Sequence, residues 1–296
     1  MTESSAHSIT WLHHAGQRLG LVPSLGGSVA AWQLEGPQGL IDLWRPWDGK
    51  TADLYQLASF AMLPWSNRIS GGGFTHDGRF HPMQPNRAGE PYPIHGDGWL
   101  QAWQVAEREH DRIRLSLTSK NFGSDPYHYR STQNFRLLPN GLAIDLSVTH
   151  LGDGTLPYGL GLHPYFTRND KTCLLMRTSG LWLSGPDPIP FSHVHTFPPS
   201  FDYNSPAPLE GPLIDHCFTG WDGEAVIDYP DRDLTITMSM ADCNGYTLFY
   251  RPPHEHYFCL EPITHPIDAF HMPGRPGLVF LAKGETLTLR ATFLVS

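Results

Sequence analysis

Basic charge, cysteine and long apolar runs are all scarce in this chain. Its 296 residues include 20 Lys and Arg against 29 Asp and Glu, a formal net charge of -9. Nucleic-acid binding depends on concentrated Lys and Arg, so we expect no nucleic-acid partner. No stretch approaches the roughly 20 apolar residues that cross a bilayer, and the polar start, 1–10, lacks the apolar core of a secretory signal. We therefore expect a cytoplasmic protein with no membrane partner.

The four cysteines, Cys173, Cys217, Cys243 and Cys259, have no CxxC spacing. In a chain of this length they are typical of reduced, small apolar residues rather than of a disulfide framework. Also missing are a phosphate-binding Gly-Lys-Ser/Thr loop, a GxGxxG motif opening a helix and a GxSxG elbow. Nucleotide binding and serine-hydrolase chemistry thus lack their usual motifs, and we expect no cofactor.

A sustained helical pattern is absent too, and 27 prolines and 29 glycines are spread along the chain. Apolar residues instead alternate with polar ones over 113–117, 142–148, 234–238 and 287–293, the period of half-buried strands. Turn residues at Asp77-Gly78, Asn140-Gly141 and Asp231-Arg232-Asp233 indicate hairpins. We predict an all-β fold, a large antiparallel sandwich or barrel, as one domain over residues 1–296. Loop-rich segments are expected at 66–98, 167–184 and 186–212.

The first polar candidate is Arg68. Asn67-Arg68 is followed by three successive glycines, 71–73, which let the backbone turn sharply or approach a neighbour closely. An Arg beside Trp65 and Trp99 suits the hydroxyl edge and the apolar face of a sugar. The simpler interpretation is that Arg68 is a surface charge and the glycines form a loop.

Two further candidates, His163 and Glu261, lie in apolar stretches. His163 precedes a proline that favours extended backbone, and a side chain that titrates near neutrality suits a general acid. A hydrogen-bonded core histidine is the alternative. Glu261 ends an apolar run, where burial raises the pKa of a carboxyl and makes it a better base. The other interpretation is that Glu261 forms a buried ion pair with an Arg.

Two histidine pairs invite a metal interpretation. His193-Val-His195 and His254-Glu-His256 place both imidazoles on one face of a strand, as in some zinc sites. Neither pair has further ligands nearby, and 17 histidines produce such spacings by chance. We therefore expect no metal.

Taken in order, these stretches resemble galactose mutarotase, of the aldose-1-epimerase family, from about residue 18 to the end of the chain. The matching motifs are Asn67-Arg68 with Phe74, Ile94-His95-Gly96 with Gly98-Trp99, His163-Pro-Tyr-Phe166, Leu260-Glu261-Pro262 with Thr264, and Leu281-Ala-Lys-Gly-Glu285. The segment Leu213-Ile-Asp215 to Thr219, with Trp221 after it, resembles the family's sugar-binding Asp and its aromatic turn.

The resemblance implies a large antiparallel β-sandwich with a concave face for a small-molecule sugar. It also implies an isomerase that interconverts the α and β anomers of an aldose without metal or cofactor. Glu261 is then the catalytic base that takes the proton of the anomeric hydroxyl, and His163 is the acid that protonates the ring oxygen. The implied substrate-binding residues are Arg68, His95, Asp215 and Trp221.

Two other functions remain open. A mutarotase for an anionic sugar, a hexose 6-phosphate or a sulfonated hexose, needs an anion pocket in which two or more basic residues converge. A non-catalytic carbohydrate-binding module needs only the aromatic face and neither member of the pair Glu261 and His163. The basic candidates for the anion pocket are Arg87, Lys120, Arg130 and Arg168, and the stacking candidates are Trp65, Trp99, Trp182 and Trp221.

Overall fold

Strands and loops make up the computed structural model, which describes residues 7–296. This range contains no α-helix, and its 3-10 helices are Leu54–Gln56, Gly98–Leu100, Phe122–Ser124, Pro199–Phe201 and Ala269–His271. None of these described helices is long enough to cross a membrane. Residues 1–6 of the polar start, for which we predict no secretory signal, lie outside the described residues.

Residues 7–296 form 25 strands. The first twelve are β1 (Thr10–His14), β2 (Gln17–Val22), β3 (Ser28–Gly36), β4 (Gly39–Asp42), β5 (Ala61–Met62), β6 (Gly73–His76), β7 (Arg79–Pro82), β8 (Gln104–Arg108), β9 (Arg112–Lys120), β10 (His128–Leu138), β11 (Gly141–His150) and β12 (Thr155–Tyr158). The others are β13 (Gly161–Leu162), β14 (Tyr165–Thr167), β15 (Cys173–Met176), β16 (Gly180–Leu183), β17 (Ser192–Val194), β18 (Ala207–Pro208), β19 (Ile214–Thr219), β20 (Glu224–Tyr229), β21 (Leu234–Ala241), β22 (Tyr246–Arg251), β23 (Tyr257–Pro262), β24 (Val279–Ala282) and β25 (Thr286–Val295).

The largest sheet has nine antiparallel strands in the order β18-β15-β20-β21-β25-β11-β10-β9-β8. Its strands show the predicted alternation: β11 buries Leu142, Ile144, Leu146 and Val148, and the residues between them are partly or fully exposed. The register places Ile144 between Phe135 of β10 and Ala291 of β25, so apolar side chains of neighbouring strands share one face. The all-β class predicted from the sequence is confirmed.

Each predicted hairpin turn is also confirmed. Asn140 lies in the turn that joins β10 to β11, and Asp77-Gly78, both with positive φ, joins β6 to β7. Asp233, with φ of 50°, ends the turn between β20 and β21. The segments predicted as loops are less irregular than expected, since they contain the short strands β6, β7 and β15–β18. Strands of two to four residues are too short for period-two alternation to stand out.

The second main sheet has six antiparallel strands in the order β14-β23-β22-β19-β16-β17. Its register aligns Tyr165, Cys259, Tyr250 and Asp215 in one row across four strands. Residues opposite one another in adjacent strands project from the same face. This face therefore collects side chains that are far apart in the sequence.

An aromatic cluster joins the sheets. Phe293 of the nine-stranded sheet contacts Trp44 with ring centroids 5.0 Å apart, and Trp44 also contacts Phe166 of the six-stranded sheet at 6.0 Å. Trp32 of β3 packs edge-on against Trp44 at 5.2 Å. All four side chains are buried, so the cluster fixes the position of β14 relative to the rest of the core.

Gly96 lies where two segments of backbone approach closely. The Leu63 carbonyl accepts hydrogen bonds from the amides of Asp97 and Gly98, at 3.0 and 3.1 Å. A Cβ on Gly96 would lie 1.9 Å from that carbonyl oxygen, and the φ of Gly96 is +69°. Only glycine satisfies both constraints at this position, and they hold the preceding residue, His95, in place.

We predict that Gly96→Ala lowers the free energy of unfolding by roughly 2 to 4 kcal/mol, because the methyl group collides with backbone that cannot move aside. Gly154→Ala is the matched control, since Gly154 has a similar φ of +77° but no atom within 4 Å of the added Cβ. It should cost only about 1 kcal/mol, from the left-handed backbone alone. Urea unfolding followed by tryptophan fluorescence measures both losses; equal losses would contradict the close-approach argument.

Candidate active site

The strand register brings Glu261 and His163 together. Tyr165 of β14 pairs with Cys259 of antiparallel β23. Two residues before Tyr165 is His163, and two residues after Cys259 is Glu261, so the two side chains fall opposite each other on the same face. Their Nε2 and Oε1 atoms are 3.2 Å apart.

Both side chains of this pair are buried, and each keeps a polar atom without a partner. Glu261 is 1% exposed and His163 is 7% exposed. Glu261 Oε2 and His163 Nδ1 are buried atoms that accept or donate no hydrogen bond in the structure. Unpaired buried polar atoms are costly, and they are expected where a ligand completes the bonding.

Burial opposes the charged form of both groups. It raises the pKa of Glu261 well above its usual range; the charge of Asp215 raises it further and Arg68 lowers it. Burial also lowers the pKa of His163 to about 3. Burial therefore favours the neutral form of each group, a protonated carboxyl and an unprotonated imidazole.

Aromatic rings fix the plane of the His163 imidazole. Phe60 and Tyr165 stack on it at centroid distances of 4.5 and 4.8 Å, and Tyr55 lies further out at 6.1 Å. The stacking therefore restricts rotation of the imidazole.

His95 meets the edge of this imidazole from a different part of the chain. The His95 and His163 rings are perpendicular, with centroids 5.3 Å apart. His95 Nδ1 accepts a hydrogen bond from the Asn67 amide at 3.1 Å, so the neutral ring carries its proton on Nε2. Burial lowers the pKa of His95 well below its usual value, as do His163 and two arginines. His95 is thus a neutral hydrogen-bond donor.

Arg68 is held by two carboxylate bonds. Its Nε and Nη2 atoms donate to the two oxygens of Glu90 at 2.9 and 3.1 Å, and its Nη1 donates to Asn67 Oδ1 at 3.3 Å. The neighbouring Asp215 is partly exposed; burial raises its pKa, while Arg68 lowers it. The guanidinium is therefore oriented and its charge is compensated before any ligand arrives.

One cavity of about 340 Å³ joins these groups. Small-molecule sites usually measure about 300–1,000 Å³, so this one suits a single sugar ring. Five of the six predicted site residues line it, namely Arg68, His95, His163, Asp215 and Glu261. The other lining residues include Asp53, Tyr55, Asn67, Arg87, Glu90, Tyr165, Tyr250 and Tyr257.

The sixth predicted residue, Trp221, does not line this cavity, which corrects the expectation that it binds substrate. Its side chain is 3% exposed and belongs to the main apolar core. Its indole N–H donates to the Glu224 carbonyl at 2.7 Å. Trp65 and Trp99 are likewise buried, and Trp99 stacks beneath Tyr55 instead of facing the cavity.

Only one of the four basic residues proposed for an anion pocket, Arg87, lines the cavity. Arg87 is paired with Asp53 at 3.1 Å and lies over the Tyr55 ring at 3.6 Å. Lys120 and Arg130 are exposed elsewhere, and Arg168 donates to backbone carbonyls. Arg87 and Arg68 are therefore the two cations of this lining, and each is already paired with a carboxylate, so neither charge is free for an anionic sugar.

Three cavity residues had no sequence signal that singled them out. Tyr55 comes from the short 3-10 helix Leu54–Gln56, Glu90 from a loop and Tyr250 from β22. Glu90 follows Arg87-Ala-Gly, a stretch that reads as an ordinary surface loop. Only its bidentate contact with Arg68 reveals its role.

One of the two histidine pairs considered for a metal, His193 with His195, makes other contacts. His193 bonds the Thr219 hydroxyl and His195 bonds the Ser179 carbonyl. Among residues 7–296, the group with metal-ligand spacing is His163, Cys259 and Glu261. Burial raises the pKa of Cys259 well above its usual value, which opposes the thiolate that a metal requires. The group is better described as an acid–base pair beside a thiol.

A wider groove, of about 460 Å³, lies on the outer face of the nine-stranded sheet. Its charges form surface pairs, Arg114 with Glu107 and Arg112 with Glu109. Exposed pairs of this kind contribute little, and the groove contains no perturbed titratable group that suggests chemistry. The smaller cavity at Glu261 is the candidate site.

Known proteins resemble this chain over nearly its whole length. The family model of aldose 1-epimerase matches residues 9–293. The chain belongs to the aldose 1-epimerase family. The uncharacterized protein YphB of Escherichia coli K12 is 36% identical over 256 residues, which cover 83% of this chain and 86% of that protein.

Solved structures show the same fold as this aldose 1-epimerase family member. A candidate aldose 1-epimerase of Escherichia coli K12 superposes with a TM-score of 0.92 at 30% identity, over 98% of this chain and 99% of the other. A galactose mutarotase-like protein of Clostridium acetobutylicum superposes with a TM-score of 0.84 at 16% identity, over 98% of this chain and 95% of the other. The architecture is therefore the galactose mutarotase type of β-sandwich predicted from the sequence.

The buried carboxyl of this family member should make stability depend on pH in a defined direction. The folded pKa of Glu261 is raised above its unfolded value. The stability that the protonated Glu261 carboxyl gives the folded state is therefore fully present below about pH 4.5, and it is lost as pH rises toward the folded pKa. Glu261→Gln should therefore become more stable than the wild type as pH increases, by about 1.4 kcal/mol per pH unit within that window.

Urea unfolding at pH 5, 6, 7 and 8 measures this difference. The same exchange at exposed Glu224 is the matched control. His163→Gln should show the opposite trend, a gain over the wild type as pH falls below about 6.5, because the folded pKa of His163 is lowered to about 3. A difference between Glu261→Gln and wild type that stays constant over this range would contradict the burial argument.

Proposed function

We propose that this protein is an aldose mutarotase, which interconverts the α and β anomers of a neutral aldose by acid–base ring opening and closure. The observation that carries the proposal is the buried pair of Glu261 and His163, in contact at 3.2 Å on the wall of a ring-sized cavity. A carboxyl and an imidazole that exchange one proton are the two groups that such a reaction needs.

The pair has two forms of equal net charge. Burial favours the form in which both groups are neutral, and moving the proton of the carboxyl across their contact produces a carboxylate and an imidazolium. Sugar hydroxyl groups that donate to Glu261 stabilise the carboxylate, which favours the ionised form once substrate is bound. The unpartnered Oε2 atom of Glu261 is available to accept such a bond.

Ring opening then uses both members of the pair. Glu261 accepts the proton of the hydroxyl on C1, His163 donates its proton to the ring oxygen, and the bond between C1 and that oxygen breaks. The products are the open-chain aldehyde, a protonated Glu261 and a neutral His163. Burial favours these neutral forms, so the low-polarity surroundings assist the step.

Rotation about the bond from C1 to C2 presents the other face of the aldehyde, and closure reverses the transfers. His163 takes the proton of the chain hydroxyl as its oxygen attacks C1, and Glu261 returns its proton to the carbonyl oxygen. The protein finishes in the state in which it began. The cycle consumes no cofactor and releases no group.

The remaining polar groups hold the sugar during rotation. His95 offers its Nε2–H from a fixed ring, and Arg68 and Asp215 offer a donor and an acceptor to hydroxyl groups. Because Glu90 already orients Arg68, little further ordering is needed on binding. Positioned groups of this kind keep the flexible open chain in place until it closes.

Charge balance supports a neutral substrate. The cavity lining has four carboxyl groups, those of Asp53, Glu90, Asp215 and Glu261, and two guanidinium groups, Arg68 and Arg87. Each guanidinium is already paired with a carboxylate. A phosphate or sulfonate entering the cavity would meet an excess of acidic groups.

Acceleration of anomeric exchange tests the activity. We predict that the protein speeds the equilibration of freshly dissolved α-D-glucose or α-D-galactose, followed by polarimetry or NMR exchange. Glu261→Gln and His163→Asn should each fold and lower the rate about a hundred- to ten-thousand-fold, since each removes one positioned proton-transfer group. Glu224→Gln is the matched control. Wild-type rates in either site variant would refute the assignment, and binding without acceleration would favour a carbohydrate-binding module.

Substrate charge gives a separate prediction. The protein-dependent rate constant for glucose 6-phosphate should be at least about ten-fold lower than for glucose, because no uncompensated cation lines the cavity. Asp53→Asn releases Arg87 from its ion pair and should lower the ratio of the glucose rate constant to the glucose 6-phosphate rate constant. Asp145→Asn, on the outer face of the nine-stranded sheet, should leave it unchanged. A phosphate ester that is processed as well as glucose would contradict the neutral-substrate proposal.

A further inference from the structure

A second cavity, of about 460 Å³, lies directly beside the first. Arg68, Glu90 and Asp215 line both cavities, so these three residues form the wall that they share. The residues that line only the second cavity include Pro91, Ser184, Pro186, Pro188, Leu213 and His216. A larger space therefore adjoins the proposed site of ring opening.

Hydrogen bonds hold the walls of the second cavity together. The Tyr92 hydroxyl, next to Pro91, donates to the Asp187 carboxylate at 3.1 Å and so links the two loops that flank the cavity. On the inner side, the Ser184 hydroxyl and His216 Nδ1 are 3.2 Å apart, which ties one loop to β19. Segments of the chain that are hydrogen-bonded to one another therefore form the boundary of the second cavity.

The lining of the second cavity alternates apolar and polar groups. Three prolines and Leu213 present hydrocarbon surface, and Leu213 is 51% exposed. Phe191, 71% exposed, lies within 3.7 Å of a Cβ placed on Gly185, another lining residue. Apolar faces beside hydroxyl and imidazole groups match a sugar, which has hydrocarbon faces and hydroxyl edges.

Charge again favours a neutral ligand in this space. Arg68 is the cation that both cavities share, and it is paired with Glu90. Asp215 adds a carboxyl to the same wall. A ligand that passes this wall meets paired or acidic groups, and hydroxyl groups satisfy these better than an anion does.

Mutarotation constrains how a larger sugar would lie. Only the reducing end can open, so C1 and the ring oxygen must face Glu261 and His163. A substituent on another hydroxyl would leave the first cavity where it is open to more space, along Arg68 and Asp215. The second cavity begins at those residues.

We infer that the second cavity binds the non-reducing sugar of a neutral reducing disaccharide, whose reducing ring occupies the first cavity. This inference rests on the proposed mutarotase function and specifies its substrate class. A substrate of this kind uses binding energy from its non-reacting ring to hold the reacting ring in place.

Anomeric exchange of linkage isomers provides the test. The substrates are glucose and reducing glucose disaccharides linked through O2, O3, O4 or O6, with exchange measured by NMR. At least one linkage should give a kcat/KM about ten-fold above that of glucose, the ratio for about 1.4 kcal/mol of added contact. In parallel, calorimetry with the Glu261→Gln protein measures binding of the same sugars without turnover.

Leu213→Trp fills the second cavity and leaves the first unaltered, because Leu213 lines only the second. It should abolish the ten-fold advantage of the favoured disaccharide in both rate and binding, with little change for glucose. Leu40→Trp is the matched control, an exposed leucine on β4 outside both cavities.

The outcomes separate the two proposals. If glucose is accelerated but no disaccharide exceeds it in rate or binding, or if Leu213→Trp leaves the disaccharide advantage intact, the second-cavity inference is wrong and the mutarotase proposal stands. If no sugar is accelerated, the mutarotase proposal fails. Disaccharide binding to Glu261→Gln that is tighter than glucose binding and sensitive to Leu213→Trp would then still support the second cavity as a sugar site.

Discussion

The contact between Glu261 and His163 is the constraint on which the candidate site depends. It results from the antiparallel register of β14 and β23, in which Tyr165 opposes Cys259. That register places two titratable groups, almost 100 residues apart in sequence, in one low-polarity position. Burial there opposes charge on both groups, and a shared proton satisfies them together. A shift of the register by one residue would turn one side chain to the other face of the sheet.

Much of the surrounding structure holds this pair in one geometry. Aromatic rings from β14 and from the loop before β5 stack on the imidazole. The positive φ of His95 and the close backbone approach at Gly96 fix the neighbouring donor. This packing is stable without a ligand. The unpaired buried polar atoms of Glu261 and His163 are the unfavourable part of the arrangement. The fold thus stabilises a local arrangement that is itself unfavourable, as is common where structure serves chemistry.

Paired charges define the mouth of the cavity. Glu90 and Asp53 compensate the arginines that would otherwise attract anions. The same pairing orients Arg68, so charge balance and hydrogen-bond geometry come from one interaction. Arg68, Glu90 and Asp215 also line both cavities. In the proposed function, selection of a neutral ligand and extension of the site would therefore depend on the same residues.

Local patterns in the sequence determined the strands and turns, because period-two alternation and turn residues act over a few positions. They also singled out Arg68, His163 and Glu261. Five motifs in order pointed to the family, and that resemblance added His95, Asp215 and Trp221. Tertiary structure alone decided which of the candidates meet. Trp221 follows a cavity residue in sequence yet lies in the core, and Glu90 reads as a loop residue yet orients Arg68. The physical reason is that burial, charge pairing and cavity shape depend on strand register and long-range contacts, which the order of residues along the chain does not display.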